Sequence, residues 1–326
     1  MDAPPRPSPP PAPPAGPWRR TPPAVFPPIL GFLGLGLAWR AAGEGWQTAV
    51  GDVLLGAGAL LFALAAAAWL SKPLRRPGVV VEEMAVLPGR AGLAAMTLSA
   101  LLVAAALVPL APRLALGLSV LMVVAHAGLA ALHLRLFLAG PTEAQTLTPV
   151  WHLVFVGFIV AGLVWVPLGV EGAARLVLFA MLPLAVAIWG ISLWQLLRRI
   201  PPAPLRPLLA IHLAPACLLA TVASGLGMSG LATVLASLAA AILAALVLAA
   251  RWITQSGFSP LWGAFTFPLA AFAGMLWHLV AAGEPLRGLA AVVLVVATLA
   301  IPAVLVKVLQ LWARGDLAVR TNAATA

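Results

Sequence analysis

Five histidines are the side chains best suited to chemistry in this sequence of 326 residues. His126 and His133 stand seven residues apart, which places them on one face if the segment is helical. Histidine pairs inside a membrane are ligands for haem. A haem bundle, however, usually needs facing pairs on two helices, and only one such pair is visible. Packing and hydrogen bonding are the simpler interpretation, and a haem-binding redox subunit is kept as an alternative.

The other three histidines, His152, His212 and His278, fall in separate apolar runs. We predict that His212 and His278 are polar points along a path through the membrane. All nine acidic residues lie at the ends of apolar runs, in loops or in tails. Carboxylates inside the membrane serve proton relays, and rings of carboxylates make cation pores. Their absence from the apolar runs therefore favours a pathway for anions.

Catalytic motifs are missing from the sequence. There is no Gly-x-Ser-x-Gly elbow, no phosphate-binding loop and no His-Glu-x-x-His motif. The single cysteine, Cys217, lies in an apolar run and cannot form a disulfide or a thiolate metal cluster within one chain. We therefore expect a protein that is not an enzyme and has no catalytic residues, metal site or cofactor.

The composition places the chain in a membrane. Hydrophobic residues make up 63% and charged residues only 9%, with a mean hydropathy of +1.06. A soluble domain cannot bury that much apolar surface, so lipid must be part of the solvent. Ten continuous apolar runs are close to the roughly 20 residues that a spanning helix needs. They lie near 25–39, 48–70, 87–110, 114–138, 148–167, 173–197, 207–225, 229–250, 258–281 and 288–313.

These runs define a membrane domain at 25–313 between two tails, 1–24 and 314–326. The first tail is mostly Pro and Ala, which predicts a disordered segment. With the N-terminus inside, fifteen of the nineteen basic residues lie inside, and the other four lie outside. The positive-inside rule then places both tails in the cytoplasm. The net charge of +10 reflects this orientation and an attraction to anionic lipid rather than nucleic-acid binding.

Prolines near the starts of the odd-numbered spans form a repeat. They are Pro28, Pro88, Pro149, Pro207 and Pro260, at intervals of 60, 61, 58 and 53 residues. Proline is common in the first turn of any helix, but the regular period predicts one helical hairpin used five times. Five helices pointing the same way can surround an axis. Their positive dipole ends would then face the cytoplasmic mouth and attract anions.

Other small or ring-shaped residues in the odd spans shape the path. Pro215 and Pro268 lie inside spans, where proline kinks a helix and frees a carbonyl group. Gly31, Gly34 and Gly36 predict either close helix packing or room for a bulky side chain from across a pore. The candidates for pore lining or kinks are Gly31, Gly34, Gly36, Pro149, Pro215, His212, Pro268 and His278.

The ninth span holds Phe265 and Phe267 between Pro260 and Pro268. This segment resembles the ninth span of the tellurite-resistance and dicarboxylate-transporter family. That family includes bacterial tellurite-resistance proteins, the slow anion channels of plant guard cells and the fungal malate transporters. Phe26–Arg40 and Leu205–Pro215 are similar to its first and seventh spans. The likeness covers nearly the whole chain after residue 24.

The resemblance implies an all-α integral membrane protein of ten transmembrane helices, with five hairpins in a pseudo-five-fold arrangement around a central pore. It implies a homotrimer in the plasma membrane, the inner membrane in a bacterium, that conducts chloride, nitrate or dicarboxylates such as malate. It also implies that Phe267 plugs the pore, with Phe265 as the rival. Without the resemblance, both phenylalanines are explained as packing aromatics. A coupled malate or tellurite transporter with the same fold is the alternative function.

Overall fold

The computed structural model describes residues 18–326, and within that range every element is helical and no strand occurs. The long helices are α1 (Phe26–Ala41), α2 (Trp46–Arg75), α4 (Leu87–Leu107), α5 (Pro112–Ala139), α7 (Glu171–Arg198), α8 (Leu213–Gly225), α9 (Ser229–Leu248), α11 (Gly263–Ala281) and α12 (Arg287–Ala313). The short ones are α3 (Val79–Ala85), α6 (Gly162–Trp165), α10 (Ala250–Ile253) and α13 (Asp316–Arg320). Tighter 3₁₀ turns cover Pro23–Val25, Thr142–Ala144, Gly157–Ala161, Ala203–His212 and Pro260–Trp262, and His152–Val156 is a π-helix.

Nine helical segments of the described chain are long and apolar enough to cross a membrane. A further apolar segment, His152–Trp165, lies where the fifth span was predicted, but it is shorter and passes from π-helix through 3₁₀ to α-helix. Pro149 precedes it and Pro167 follows it, and proline at either side opposes continuation of a regular helix. The fifth span is therefore less regular than the sequence predicted.

The segments alternate between two layers. Four odd-numbered spans are long: Pro23–Ala41, Leu87–Leu107, Ala203–Gly225 and Pro260–Ala281. In these spans 67%, 83%, 78% and 61% of the most apolar 18-residue stretch is buried inside the protein. The even-numbered spans are α2, α5, α7, α9 and α12, and in them the buried share is 28%, 22%, 22%, 17% and 39%. We call the odd-numbered spans the inner segments and the other five the outer helices. Leucines such as Leu60, Leu121 and Leu176 are exposed on the outer helices, where lipid is the natural solvent.

The inner segments contact one another in a closed ring. α1 packs against α4, α4 against 152–165, that segment against α8, α8 against α11, and α11 against α1. Each inner segment also packs against the outer helix that follows it in the chain, so that each pair forms a hairpin. The contacts within the hairpins join α1 to α2, α4 to α5, the π-helix to α7, α8 to α9 and α11 to α12.

Prolines begin three of the inner segments. Pro28 lies in the first turn of α1, Pro88 in the first turn of α4, and Pro260 begins the 3₁₀ turn that leads into α11. A backbone N–H in the first turn has no hydrogen-bond partner within the helix, so proline, which lacks this N–H, loses no hydrogen bond there. Pro207 differs, because it lies inside the 3₁₀ segment Ala203–His212 rather than at its start.

Both predicted tails are partly ordered. Residues 1–17 lie outside the described part of the chain, but Thr21, Pro22 and Ala24 are buried, so the prediction of disorder up to residue 24 is wrong at its end. The reason is packing against α4, where a Cβ on Gly92 would lie 2.2 Å from the Pro23 carbonyl oxygen. At the other end α13 packs on α12, with Leu317 fully buried.

A buried ion pair joins α2 to α3 at the proline end of the inner segments. Nζ of Lys72 lies 2.5 Å from Oε1 of Glu83, and both side chains are fully buried. The same ammonium donates to the carbonyl oxygen of Thr21 at 2.9 Å, and the backbone N–H of Ala324 donates to the Glu83 carboxylate. Burial raises the pKa of the Glu83 carboxyl above its ordinary value, while Lys72 acts in the opposite direction. The pair therefore links the two tails of the chain, at Thr21 and Ala324, to α2 and α3.

Candidate functional site

The first halves of all five inner segments line one apolar cavity, which we call the proline cavity. Its walls include Pro27, Pro88, Pro215, Pro260 and Pro268. Its water-accessible volume is about 60 Å³, which is room for only a small number of waters. Among the described lining residues the only ionisable side chain is His152. A narrow apolar cavity of this kind opposes the passage of hydrated ions unless it widens.

The last residues of the same five segments line a second, wider cavity, which we call the arginine cavity. Its water-accessible volume is about 390 Å³, and Arg40, His278 and Thr221 are among its lining residues. The Arg40 guanidinium donates to the Asp52 carboxylate at 2.9 and 2.5 Å and to the Ala106 carbonyl oxygen at 2.9 Å. A fixed cationic side chain therefore borders this cavity, partly balanced by one carboxylate.

The two cavities lie at opposite ends of one set of segments. Leu30 of α1 and Leu98 of α4 line the proline cavity, and Leu37 and Ala105, seven residues later in each helix, line the arginine cavity. The inner segments consequently all run in the same direction. The layer between the cavities is formed by the middle of each inner segment.

Phe267 and Phe265 have different surroundings. The Phe267 side chain is 8% exposed and lines the proline cavity. The Phe265 ring instead packs edge-on against Trp262, with 5.6 Å between the ring centroids, and is not part of either cavity wall. Of the two phenylalanines that the sequence singles out, only Phe267 borders the space between the inner segments.

The three glycines of α1 are all sites of close approach, but to different partners. A Cβ on Gly34 would lie 3.1 Å from Cδ2 of Phe267, and a Cβ on Gly31 would lie 2.3 Å from Cβ of Thr266. A Cβ on Gly36 would lie 2.7 Å from Cγ of Leu55 on α2. Gly31 and Gly34 therefore seat α11, whereas Gly36 faces an outer helix and packs a hairpin.

The candidate prolines are likewise divided. Pro215 and Pro268 are buried and line the proline cavity. Pro149 is half-buried and is absent from the described lining of both cavities. Near Pro268, the Thr266 hydroxyl lies 2.7 Å from the Gly263 carbonyl oxygen and 3.1 Å from that of Pro27. This hydroxyl links the first turn of α11 to the start of α1.

The histidines on the inner segments were only partly anticipated. His278 is exposed and lines the arginine cavity, where its Nδ1 lies 2.8 Å from the Gly274 carbonyl oxygen. His212 does not line either cavity; its Nδ1 lies 3.0 Å from Nε2 of His152, which does line the proline cavity. The spacing in the sequence could have indicated this pair, because the 60 residues between the two histidines nearly equal the period of the proline repeat.

His126 and His133 are both fully buried on α5 but have unlike partners. Nδ1 of His126 lies 2.6 Å from the Thr97 hydroxyl, and its Nε2 lies 3.0 Å from the Val154 carbonyl oxygen. Neither nitrogen of His133 has a hydrogen-bond partner in the described chain, and its ring packs on Trp151 and Phe155. Both nitrogens of His126 are thus engaged by protein, and His133 is enclosed by aromatic rings, which disfavours the haem alternative.

Comparison with known proteins gives one family. Residues 20–309 match the family described as voltage-dependent anion channel (SLAC1). The match covers both cavities and all the inner segments and outer helices except the last residues of α12. No match was found among the curated proteins.

Proposed function

The chain belongs to the voltage-dependent anion channel family, and on that premise we propose that it is an anion channel whose pore joins the two cavities. In this proposal the five inner segments surround the pore in a pseudo-five-fold arrangement of ten spanning segments. Phe267, in the wall of the proline cavity, is the plug that closes the path. Chloride, nitrate and small organic anions are the proposed cargo.

The observation that carries the proposal is the pair of cavities at opposite ends of one set of segments. Each cavity takes residues from all five inner segments, and these segments contact one another in a ring. An aromatic ring in a narrow apolar path excludes water, so ions cannot pass until it moves. The position of Phe267 in the wall of the narrower cavity supports its role as the plug.

The charges near the path support a preference for anions. No carboxylate is found among the described residues that line either cavity, and Arg40 and His278 border the wider one. The starts of the inner segments, with their positive dipole ends, meet around the proline cavity. A cation would meet no carboxylate among the described lining residues, and an anion meets favourable groups at both ends.

We further propose that the proline cavity faces the cytoplasm of the cell and the arginine cavity faces outward. Fifteen of the nineteen basic residues fall on the proline side by this orientation, as the positive-inside rule requires. The family resemblance suggests a homotrimer in the plasma membrane, with a pore in each subunit. The exposed leucines and valines of the outer helices then meet lipid or a neighbouring subunit.

Reversal potentials in planar bilayers test this function. Purified protein should carry current that follows the equilibrium potential of chloride or nitrate, not that of the cation, and malate on one side shows whether dicarboxylates pass. Phe267→Ala should raise the conductance, since lowering the barrier by only about 1.4 kcal/mol gives tenfold more flux. Phe265→Ala is the matched control and should leave it unchanged.

Three results would count against a channel. A Phe267→Ala variant that is folded but silent would refute the plug and the pore together. Flux that saturates, turns over slowly and follows the pH gradient would identify a coupled malate or tellurite transporter instead. A visible absorption band in the purified protein would revive the haem alternative.

A further inference from the structure

Two imidazoles meet in the wall of the proline cavity. Nε2 of His152 lies 3.0 Å from Nδ1 of His212, and the two rings are nearly perpendicular at 88°. His152 is 2% exposed and lines the cavity. One imidazole must donate an N–H to a bare nitrogen of the other, because two N–H groups in this position would repel. The neutral pair therefore already shares one hydrogen bond.

The neutral pair always has one further bare nitrogen. Whichever ring donates, either Nδ1 of His152 or Nε2 of His212 keeps a free lone pair. Nδ1 of His152 is buried and has no hydrogen-bond partner within the described chain. The indole N–H of Trp189 donates to the His212 carbonyl oxygen at 3.1 Å, and its ring packs 5.5 Å from that of His152. The pair is thus held in place from α7 while a proton-accepting position remains unused.

No carboxylate in the described chain forms an ion pair with either imidazole. The ionisable groups on the segments packed around the pair are mostly basic or neutral. They are Arg90 on α4, His126 and His133 on α5, Arg206 on the same 3₁₀ segment as His212, His278 at the arginine cavity, Glu171, Arg175 and Arg198 at the ends of α7, and the exposed Arg113, Arg135 and Arg251. Only Glu171 is acidic, and it lies in the first turn of α7, paired with Arg175. A mobile anion in the cavity is therefore the available counter-charge.

Resting on the proposed channel function, we propose that the His152–His212 pair is a proton-binding site coupled to anion binding in the proline cavity. Proton uptake places a positive charge on an otherwise uncharged wall, which stabilises an anion there. By reciprocity, an anion in the cavity favours proton uptake by the same factor. Acidification on the proline-cavity side then raises the anion conductance.

The first test uses nitrate currents in the Phe267→Ala background, so that the plug does not mask the response. Lowering the pH on the proline-cavity side from about 7.5 to about 5, the range in which histidine titrates, should raise the current about fivefold or more, as for a typical coupling between two sites. His152→Gln and His212→Gln should abolish this rise. His133→Phe, which alters a buried histidine away from both cavities, should preserve it.

A second test needs no current. Nitrogen NMR of histidine-labelled wild-type protein, assigned with the same variants, follows protonation of the pair in nitrate and in gluconate. We expect the pair to take up its proton at a higher pH in nitrate, with His126 unaffected. Equal titration in both salts would overturn the proposal.

The two tests separate the two hypotheses. Current that is present but equal at both pH values, or a rise that persists in His152→Gln, refutes the proton site and leaves the channel intact. If Phe267→Ala carries no current at any pH, the channel hypothesis fails, and the NMR titration alone then decides whether the pair binds a proton together with an anion.

Discussion

The ring of Phe267 rests directly on the backbone of Gly34. A Cβ at residue 34 would stand 3.1 Å from Cδ2 and 3.3 Å from Cε2 of that ring, and 3.0 Å from Cβ of Ala270. These distances are shorter than ordinary van der Waals contact, so only a residue without a side chain leaves the ring where it is. The plug proposed for α11 therefore depends on a seat provided by α1.

We predict that Gly34→Ala and Phe267→Ala are energetically coupled. Gly34→Ala alone should lower the free energy of unfolding by about 1–3 kcal/mol, because the added methyl overpacks the seat. In the Phe267→Ala background the methyl meets the space that the ring has left, so the cost should fall by about 0.5–3 kcal/mol. Denaturant unfolding of the four proteins in detergent measures the coupling. Strictly additive costs would show that the two side chains do not touch.

Gly31 should be more sensitive to substitution than a glycine that faces outward. A Cβ at Gly31 would lie 2.3 Å from Thr266 and 2.8 Å from the backbone nitrogen of Phe267, so Gly31→Ala must displace α11. We expect a loss of about 1–3 kcal/mol in the free energy of unfolding. Gly190 of α7 has no atom within 4 Å of its Cβ position, and Gly190→Ala should instead add about 0.5–1 kcal/mol by favouring the helix. Equal effects at the two positions would contradict this account.

Two successive glutamates of α3 should differ sharply. Glu83→Gln leaves the Lys72 ammonium buried without its counter-charge and should reduce the free energy of unfolding by about 3–5 kcal/mol. Glu82 pairs with Arg76 at the surface, where both side chains are about half exposed, and Glu82→Gln should change it by about 1 kcal/mol or less. Unfolding at neutral pH compares the two variants.

Further variants at this cluster separate charge from packing. Lys72→Met combined with Glu83→Leu should recover part of the loss caused by Glu83→Gln, because no isolated charge remains buried.

The exposed pair should show a pH dependence instead. The hydrogen bond from Arg76 holds the pKa of Glu82 below its ordinary value. The small contribution of Glu82 is therefore present at neutral pH and is lost as the pH falls through that lowered pKa. For the buried pair, a Lys72→Met, Glu83→Leu double variant less stable than Glu83→Gln would show that packing rather than charge determines its contribution.

The two histidines of α5 should respond oppositely to phenylalanine. His126→Phe removes the partner of both the Thr97 hydroxyl and the Val154 carbonyl group, and should cost about 1–3 kcal/mol of unfolding free energy. His133→Phe removes two buried nitrogens without partners from an aromatic enclosure, and should be neutral or stabilising. A large loss in His133→Phe would indicate that its nitrogens hold something that the protein chain does not supply.

The continuous apolar runs were enough to predict the helical membrane class, and the resemblance of the first, seventh and ninth spans predicted the family; both are confirmed. The hydropathy of a span is an average over many residues, so one residue that departs from the pattern does not change the assignment of the span. The proline period also predicts helix starts correctly at Pro28, Pro88 and Pro260. It fails in detail at Pro149, where a short π-helix follows, because helix type depends on contacts with α4, α5 and α7 that no local pattern encodes.

Pairings across the fold were beyond the sequence argument. His152 was not singled out, because its partner His212 lies 60 residues away on another segment. Gly36 was grouped with Gly31 and Gly34 by spacing alone, yet positions on opposite sides of one helix meet different neighbours, here Leu55 of α2. The Lys72–Glu83 pair was hidden because each residue looks like an ordinary charge at the end of a span.

The outer helices separate the ring of inner segments from the bilayer, and in four of the five hairpins the outer helix is also the longer member. α2 has 30 residues and α5 and α7 have 28 each, more than the roughly 20 that a spanning helix needs. Long helices adapt to thin or thick bilayers by tilting. Because the exposed leucines lie mainly on these helices, we expect a change in bilayer thickness to be taken up at the periphery, so that the width of the proposed pore does not vary with the thickness of the membrane.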